Sequence, residues 1–261
     1  MSDAGAKTIL PEGEFVARLH AIGEERYHHK HPFHQLMHEG KLTRGQLQAW
    51  ALNRYAYQSC IPVKDAAILE RSEDADFRRA WRKRIIDHEG RGDHEGDGDH
   101  HGDGSRPGGI EKWLRLVEAT GLDREQAIRA EGILPATRYA VDAYVDFVRE
   151  KSFLEAVASS LTELFSRKLI TLRMDRLRKH YPWLANGLDY FEGRITQAPE
   201  DAEFALGWVL KHARTREEQE LALGALRAKC DILWAMLDAI HFAYVAPGWP
   251  PPGAFVPAKE S

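Results

Sequence analysis

Cysteine is scarce in this chain: 261 residues carry Cys60 and Cys230 and no others. Neither has metal-ligand residues nearby or a partner at disulfide spacing. A disulfide framework and a cysteine-ligated zinc site are therefore excluded, and both read as reduced, buried thiols in a cytosolic protein. Long apolar runs are missing as well. No stretch approaches the ~20 residues of a membrane span, and the opening MSDAGAKTILPEGEF has no basic-then-apolar signal pattern, so a cytoplasmic location is expected. Excess charge is also lacking. Lys and Arg number 36 against 40 Asp and Glu, a net charge of −4, which leaves no electrostatic footprint for nucleic acid. Alternating β-branched runs and Asn-Gly or Asp-Gly hairpins between them are absent, so no strand is expected. There is no Gly-rich phosphate loop, no GxSxG, no cysteine beside a visible base and no repeated Glu-x-x-His marking a bundle metal site.

What remains is helical. The length suffices to bury a core without disulfides, and the 43% hydrophobic and 29% charged content is ordinary for a globular protein. Apolar residues recur at helical spacing in FVARLHAI, LQAWALNRYAYQ, GIEKWLRLVEA, YAVDAYVDFV and LGALRAKCDILWAMLDAIHFAY. Thr43 with Gln46, Asp123 with Gln126, and Thr215 with Glu218 have capping-box spacing, and Pro182 and Pro199 stand where first-turn prolines belong. The expected fold is all-α, with about eight helices on short loops. Two segments depart from it. Residues 90–109 are Gly, Asp and His with almost no apolar side chain, which predicts a mobile surface loop. Residues 246–261 form a Pro-rich tail or linker.

Polar side chains recur four apart inside otherwise apolar helical stretches: Arg54 and Gln58, Arg84 and His88, Tyr190 and Arg194. That spacing stacks two side chains on one helix face. Cations and hydrogen-bond donors along faces that should be buried point to an enclosed pocket for an anion. Each residue also has a plainer reading. Arg54, on the helix expected to break at Pro62 before Lys64, would snorkel to solvent. His88 would cap its helix, although a protonated histidine at a helix C-terminus also suits a general acid. Tyr190 and Arg194 would tie two helices together at a rim. Lys229 falls on the apolar face of Leu226, Leu233, Leu237 and Ile240, where an ammonium needs an anion, either Glu163 or a ligand carboxylate. The run from Tyr27 to His34 lacks the i, i+4 histidines and carboxylate of a metal site and contains Pro32, so it reads as a turn whose first residues border the pocket.

YHHKHPFHQLMHEG, NRYAYQSCIPVKDAAIL, RIIDHEG, GIEKWLRL, VDAYVDFV, SSLTELF, HYPWL and KCDILWAMLDA together resemble the pyrroloquinoline-quinone synthase (PqqC) family over roughly residues 12–245. The resemblance implies one catalytic domain over residues 1–245, a compact haem-oxygenase-like helical bundle similar to the TenA proteins. It implies a homodimeric oxidoreductase that uses no metal or organic cofactor and takes molecular oxygen as co-substrate. The reaction it implies is the last step of PQQ biosynthesis: ring closure and oxidation of the bicyclic polycarboxylate AHQQ to pyrroloquinoline quinone (PQQ), with release of hydrogen peroxide. By position in the matching motifs, the substrate set is Tyr27, His28, Arg54, Gln58, Lys64, Arg84, Tyr144, Thr162, Glu163 and Arg173. The catalytic set is His88 as acid/base, Tyr190 and Arg194 on the oxygen side, and Lys229. One position departs from the family pattern: Ile170 stands where a histidine of the oxygen site is usual, with Arg173 retained. The tail is also where a PqqD-like domain follows in fused members. Two other readings stand beside this one: a haem-oxygenase-like di-iron oxygenase using His28, His88 and Glu163, and a non-catalytic PQQ carrier.

Overall fold

A computed structural model describes residues 8–91 and 106–258. Among these residues the chain forms eleven α-helices: α1 Glu12–Arg26, α2 Pro32–His38, α3 Arg44–Glu70, α4 Ala75–Glu89, α5 Gly109–Thr120, α6 Arg124–Ile128, α7 Pro135–Glu150, α8 Phe153–Ala158, α9 Ser166–His180, α10 Asp189–His212 and α11 Arg216–Tyr244. Tighter 3-10 turns occupy His28–Lys30, Ser159–Phe165 and Pro182–Gly187. The count exceeds the expected eight because α2, α6 and α8 have seven, five and six residues, too few for a period to show.

Capping chemistry sets several starts. Thr43 and Gln46 form a reciprocal capping box at α3, as do Ser152 and Glu155 at α8 and Thr215 and Glu218 at α11. Asp123 caps α6 through the Glu125 amide, not through a box with Gln126. Two proline readings are corrected. Pro62 does not break α3, which runs on to Glu70, and Pro199 lies inside α10 instead of opening a helix. Each removes one backbone donor. Burial on both sides of each proline, by Ile61 and Lys64 in α3 and by Ala198 and Asp201 in α10, keeps the helices continuous.

Helix α3 packs on α4, α5 and α7; α11 packs on α1, α7, α8 and the Ser159–Phe165 turn; α10 packs on α5, α9 and the same turn. Asn53, fully buried on α3, ties in α7: its Oδ1 accepts from the Leu134 amide and the Thr137 hydroxyl, both at 2.8 Å. Most of the segment expected to be a mobile loop lies outside the described residues. Its ends pair as a short antiparallel ladder, Gly90 opposite Pro107 and Arg91 opposite Arg106, a small strand pairing that no sequence pattern announced. The described part of the Pro-rich tail packs back on the domain. The Phe255 amide donates to the Gly132 carbonyl at 2.8 Å, and Pro257 sits so close to Gly45 that a Cβ there would lie 2.4 Å away.

Candidate active site

Every residue expected at the site except Lys229 lines one cavity between α3, α4, α7, α9, α10 and the two turns that carry Tyr27–His28 and Thr162–Glu163. Its atom-free space, mouth included, is about 790 Å³. Each of the three i, i+4 pairs faces it: Arg54 and Gln58 from α3, Arg84 and His88 from α4, Tyr190 and Arg194 from α10. Ile170 also lines it.

Five cations line the cavity: Arg54, Lys64, Arg84, Arg173 and Arg194. Three of them belong to a chain of alternating charge. Lys64 Nζ lies 2.5 Å from Asp65 and donates to Ser160 Oγ at 2.9 Å. Asp65 also accepts from Trp81 Nε1 at 2.9 Å and lies 3.5 Å from Arg84. Asp201 lies 3.6 Å from Arg84 and accepts from Arg194 at 3.1 Å. Glu163 closes the chain, 2.9 Å from Arg194 and 4.0 Å from Arg84. Burial alone would raise the Asp65 and Glu163 carboxyls, but the neighbouring cations outweigh it and both lie below their ordinary values. Glu163 keeps 23% exposure because it faces the cavity. Three carboxylates thus offset three of the five cations. Arg54 and Arg173 have no carboxylate partner among the described residues, and Arg54 instead lies over the Tyr57 ring at 4.1 Å.

Asp65 and Asp201 escaped the sequence reading. Asp201 had a usable signal, since it lies two helical turns after Arg194 on the same face. Asp65 had none beyond its neighbour Lys64, because adjacent residues do not face one another on an ideal helix.

His88 ends α4 with Nδ1 2.8 Å from the Arg84 carbonyl. A carbonyl only accepts, so Nδ1 carries the proton and Nε2 is a proton acceptor. Burial, reinforced by Arg194, brings His88 down to about 4. A helix C-terminus alone would favour a protonated histidine, but here desolvation and the guanidinium outweigh the helix dipole, and the ring is neutral. The backbone that follows presses tightly on it. Gly90 has φ +90°, and a Cβ on Gly108 would sit 2.4 Å from the His88 carbonyl oxygen, so both positions need glycine. Tyr190 donates its hydroxyl to Gln58 Oε1 at 3.0 Å. Burial raises the phenol despite Arg194 and Arg54, so it stays protonated.

Lys229 is placed differently from the expectation. Its amine has no hydrogen-bond partner among the described residues and lies over the rings of Tyr144, at 3.0 Å from the centroid, and Tyr57, at 4.2 Å. It sits behind the aromatic wall, not on the cavity surface, and Glu163 is held by arginines instead. Burial lowers its pKa well below the ordinary lysine value.

The ligands of the di-iron alternative do not converge. No group of three or more His, Cys, Asp or Glu side chains able to hold a metal occurs among the described residues.

A sequence model of the TENA/THI-4/PQQC family matches residues 16–239. This chain belongs to that family. It is 52% identical over 257 residues to a pyrroloquinoline-quinone synthase of Granulibacter bethesdensis, an alignment that covers 97% of this chain and 96% of the relative. It is 53% identical over 252 residues to the bifunctional coenzyme PQQ synthesis protein C/D of Methylorubrum extorquens, covering 96% of this chain and 64% of that protein. Among solved structures, a domain of unknown function with a heme oxygenase-like fold from Shewanella denitrificans superposes with a TM-score of 0.67 at 14% identity, over 94% of this chain and 96% of that one. The fold of this family member is therefore all-α and haem-oxygenase-like. No described helix is long and apolar enough to cross a membrane.

Proposed function

We propose that this chain is a pyrroloquinoline-quinone synthase that closes and oxidises the ring of AHQQ, with molecular oxygen as electron acceptor. The observation that carries the reading is the cavity's unbalanced charge. Among the described residues, half-buried Arg54 and buried Arg173 line it without carboxylate partners, and enclosed cations in that state call for an anionic ligand. A planar tricarboxylate supplies the missing anions, and guanidinium forks suit carboxylates. The named relatives support the same substrate class.

In the proposed reaction the substrate amine adds to a quinone carbonyl carbon and water leaves. His88 Nε2 then takes protons from the ring. Each oxidation passes two electrons from the electron-rich ring to oxygen, which with two protons becomes hydrogen peroxide. Arg194 and Tyr190 line the same cavity, and in this proposal they meet the negative charge that develops on oxygen. Ile170 adds no polar contact there, so Tyr190 and Arg194 carry that task. The protein acts without a metal or organic cofactor in this proposal, as a homodimer, and a PqqD-like domain is its candidate partner beyond the tail.

The test is to incubate metal-depleted protein with AHQQ under air, following PQQ by absorbance and peroxide by a coupled assay. Formation of both products is expected. Tight PQQ binding without oxygen uptake would favour a carrier, and activity that returns only with added iron would favour the di-iron reading.

A further inference from the structure

His34 sits on α2 just behind the cavity wall. It is 2% exposed and does not line the cavity, but it touches two residues that do. Its Nδ1 lies 2.9 Å from the His28 carbonyl oxygen, 3.1 Å from His28 Nδ1 and 3.2 Å from an Arg173 Nη. These contacts cannot all be satisfied at once. A carbonyl only accepts and a guanidinium only donates, while a neutral imidazole nitrogen carries either a proton or a lone pair. Double protonation would not resolve the conflict, because Nδ1–H would still face the Arg173 donor, and burial with Arg173 close by keeps both His34 and His28 uncharged. The other ring nitrogen, Nε2, is buried without a partner among the described residues, so no contact there fixes the tautomer.

We propose that His34 is a positioning residue that changes tautomer when an anion occupies the cavity. Without a ligand, Nδ1 is bare and accepts from Arg173. Unlike the carbonyl contact of His88, the 2.9 Å contact with the His28 carbonyl is then lone pair against lone pair, a repulsion that the charge-assisted donation from Arg173 outweighs, while the carbonyl itself accepts from the His31 amide at 3.2 Å. An anion draws Arg173 forward, and the guanidinium contact is lost. The proton of His34 then leaves Nε2 and one arrives at Nδ1 by exchange with solvent, with no net change of charge. The new Nδ1–H donates to the His28 carbonyl and faces His28 Nδ1, which must become an acceptor. The His28 proton then resides on Nε2, a donor toward the ligand. His34 thereby couples the capture of a carboxylate by Arg173 to the hydrogen-bonding sense of His28. The trigger rests on the anion-site reading of the proposed function, but the tautomer conflict does not.

The test is 15N NMR of the histidine rings in the full chain. In the ligand-free protein, His34 Nδ1 is expected to show the unprotonated, pyridine-type resonance. Arg173→Met removes the competing donor and should convert it to the protonated, pyrrole-type resonance with no ligand present. Saturation of the wild type with PQQ should do the same and place the His28 proton on Nε2. A His34 signal identical in wild type and Arg173→Met overturns the proposal whatever binds in the cavity. PQQ that saturates the protein and leaves His34 unmoved also overturns it. PQQ that does not bind counts against the functional reading instead, and the Arg173→Met comparison still decides the switch. His34→Phe should lower PQQ affinity about tenfold, and His34→Asn, whose amide can take the place of Nδ1, should restore it to within about twofold. Equal losses in the two variants would reduce His34 to a packing residue.

Discussion

Replacing Asp201 with asparagine keeps its shape and removes one buried charge. In the wild type its carboxylate accepts from Arg194 at 3.1 Å and lies 3.6 Å from Arg84, and all three side chains are about 5% exposed. In Asp201→Asn the two guanidinium groups share only Glu163 and Asp65. Breaking a buried ion pair by removing one partner destabilises by about 3–5 kcal/mol. For a chain of this length that corresponds to a fall in Tm of about 6–20 °C. The same change raises the cavity's surplus from two positive charges to three, so a tricarboxylate should recover more stability in the variant than in the wild type. Thermal unfolding of both proteins, with and without saturating PQQ, reads both effects. A variant that melts within about 2 °C of the wild type, or that PQQ stabilises no more than it stabilises the wild type, would show that Asp201 does not neutralise this cluster.

Acid should weaken the fold before the carboxylates titrate. His88 is held at about 4 and His38 also at about 4, each chiefly by burial, while His28 and His34 are lowered by the same cause. The unfolded chain binds these protons first, so stability is full above about 6.5 and falls as pH drops toward 4, with His88 accounting for about 2 kcal/mol between pH 7 and 5. Equal urea midpoints at pH 7 and 5 would contradict this. Lys229→Met should leave Tm at pH 7 unchanged or higher, because the wild-type amine is buried without an anion. The wild type, but not the variant, should also gain stability as pH rises toward about 10.5, where the unfolded lysine loses its proton. A drop of several degrees in the variant would show that the amine is held by a contact that outweighs its desolvation. Asn53→Leu strands the Leu134 amide and the Thr137 hydroxyl in the core and should cost about 2–4 kcal/mol in denaturant unfolding; a smaller loss would mean that α7 finds other acceptors. His88→Ala should bind PQQ but stall the absorbance changes that follow AHQQ mixing, and normal turnover would remove His88 as the base.

The long helices and the three i, i+4 pairs were legible because period and capping are local properties. Apolar residues at helical spacing locate α3, α5, α7 and α11, and Thr43 and Thr215 mark their helix starts through side chains three residues ahead. The prolines misled for the opposite reason. Pro62 and Pro199 weaken a helix locally, and burial of the residues around them, a property of the assembled core, keeps it intact. His88 likewise reads as a protonated cap from its own helix. Arg194, from a helix about a hundred residues away, joins with burial to keep it neutral.

The all-α class, the faces that carry arginine, histidine and tyrosine, and the likeness of nearly the whole chain to one family are all written in the amino-acid order. These depend on spacings within single helices and on motifs in order. Tertiary structure alone decided which cations are neutralised and which are left for a ligand. Asp65, Glu163 and Asp201 meet Lys64, Arg84 and Arg194 across three helices and a 3-10 turn, while Arg54 and Arg173 meet no carboxylate among the described residues. Lys229 was placed behind two tyrosines by the same packing. Charge pairing acts over a few ångströms between segments far apart in sequence, so it has no period to read until the helices are assembled.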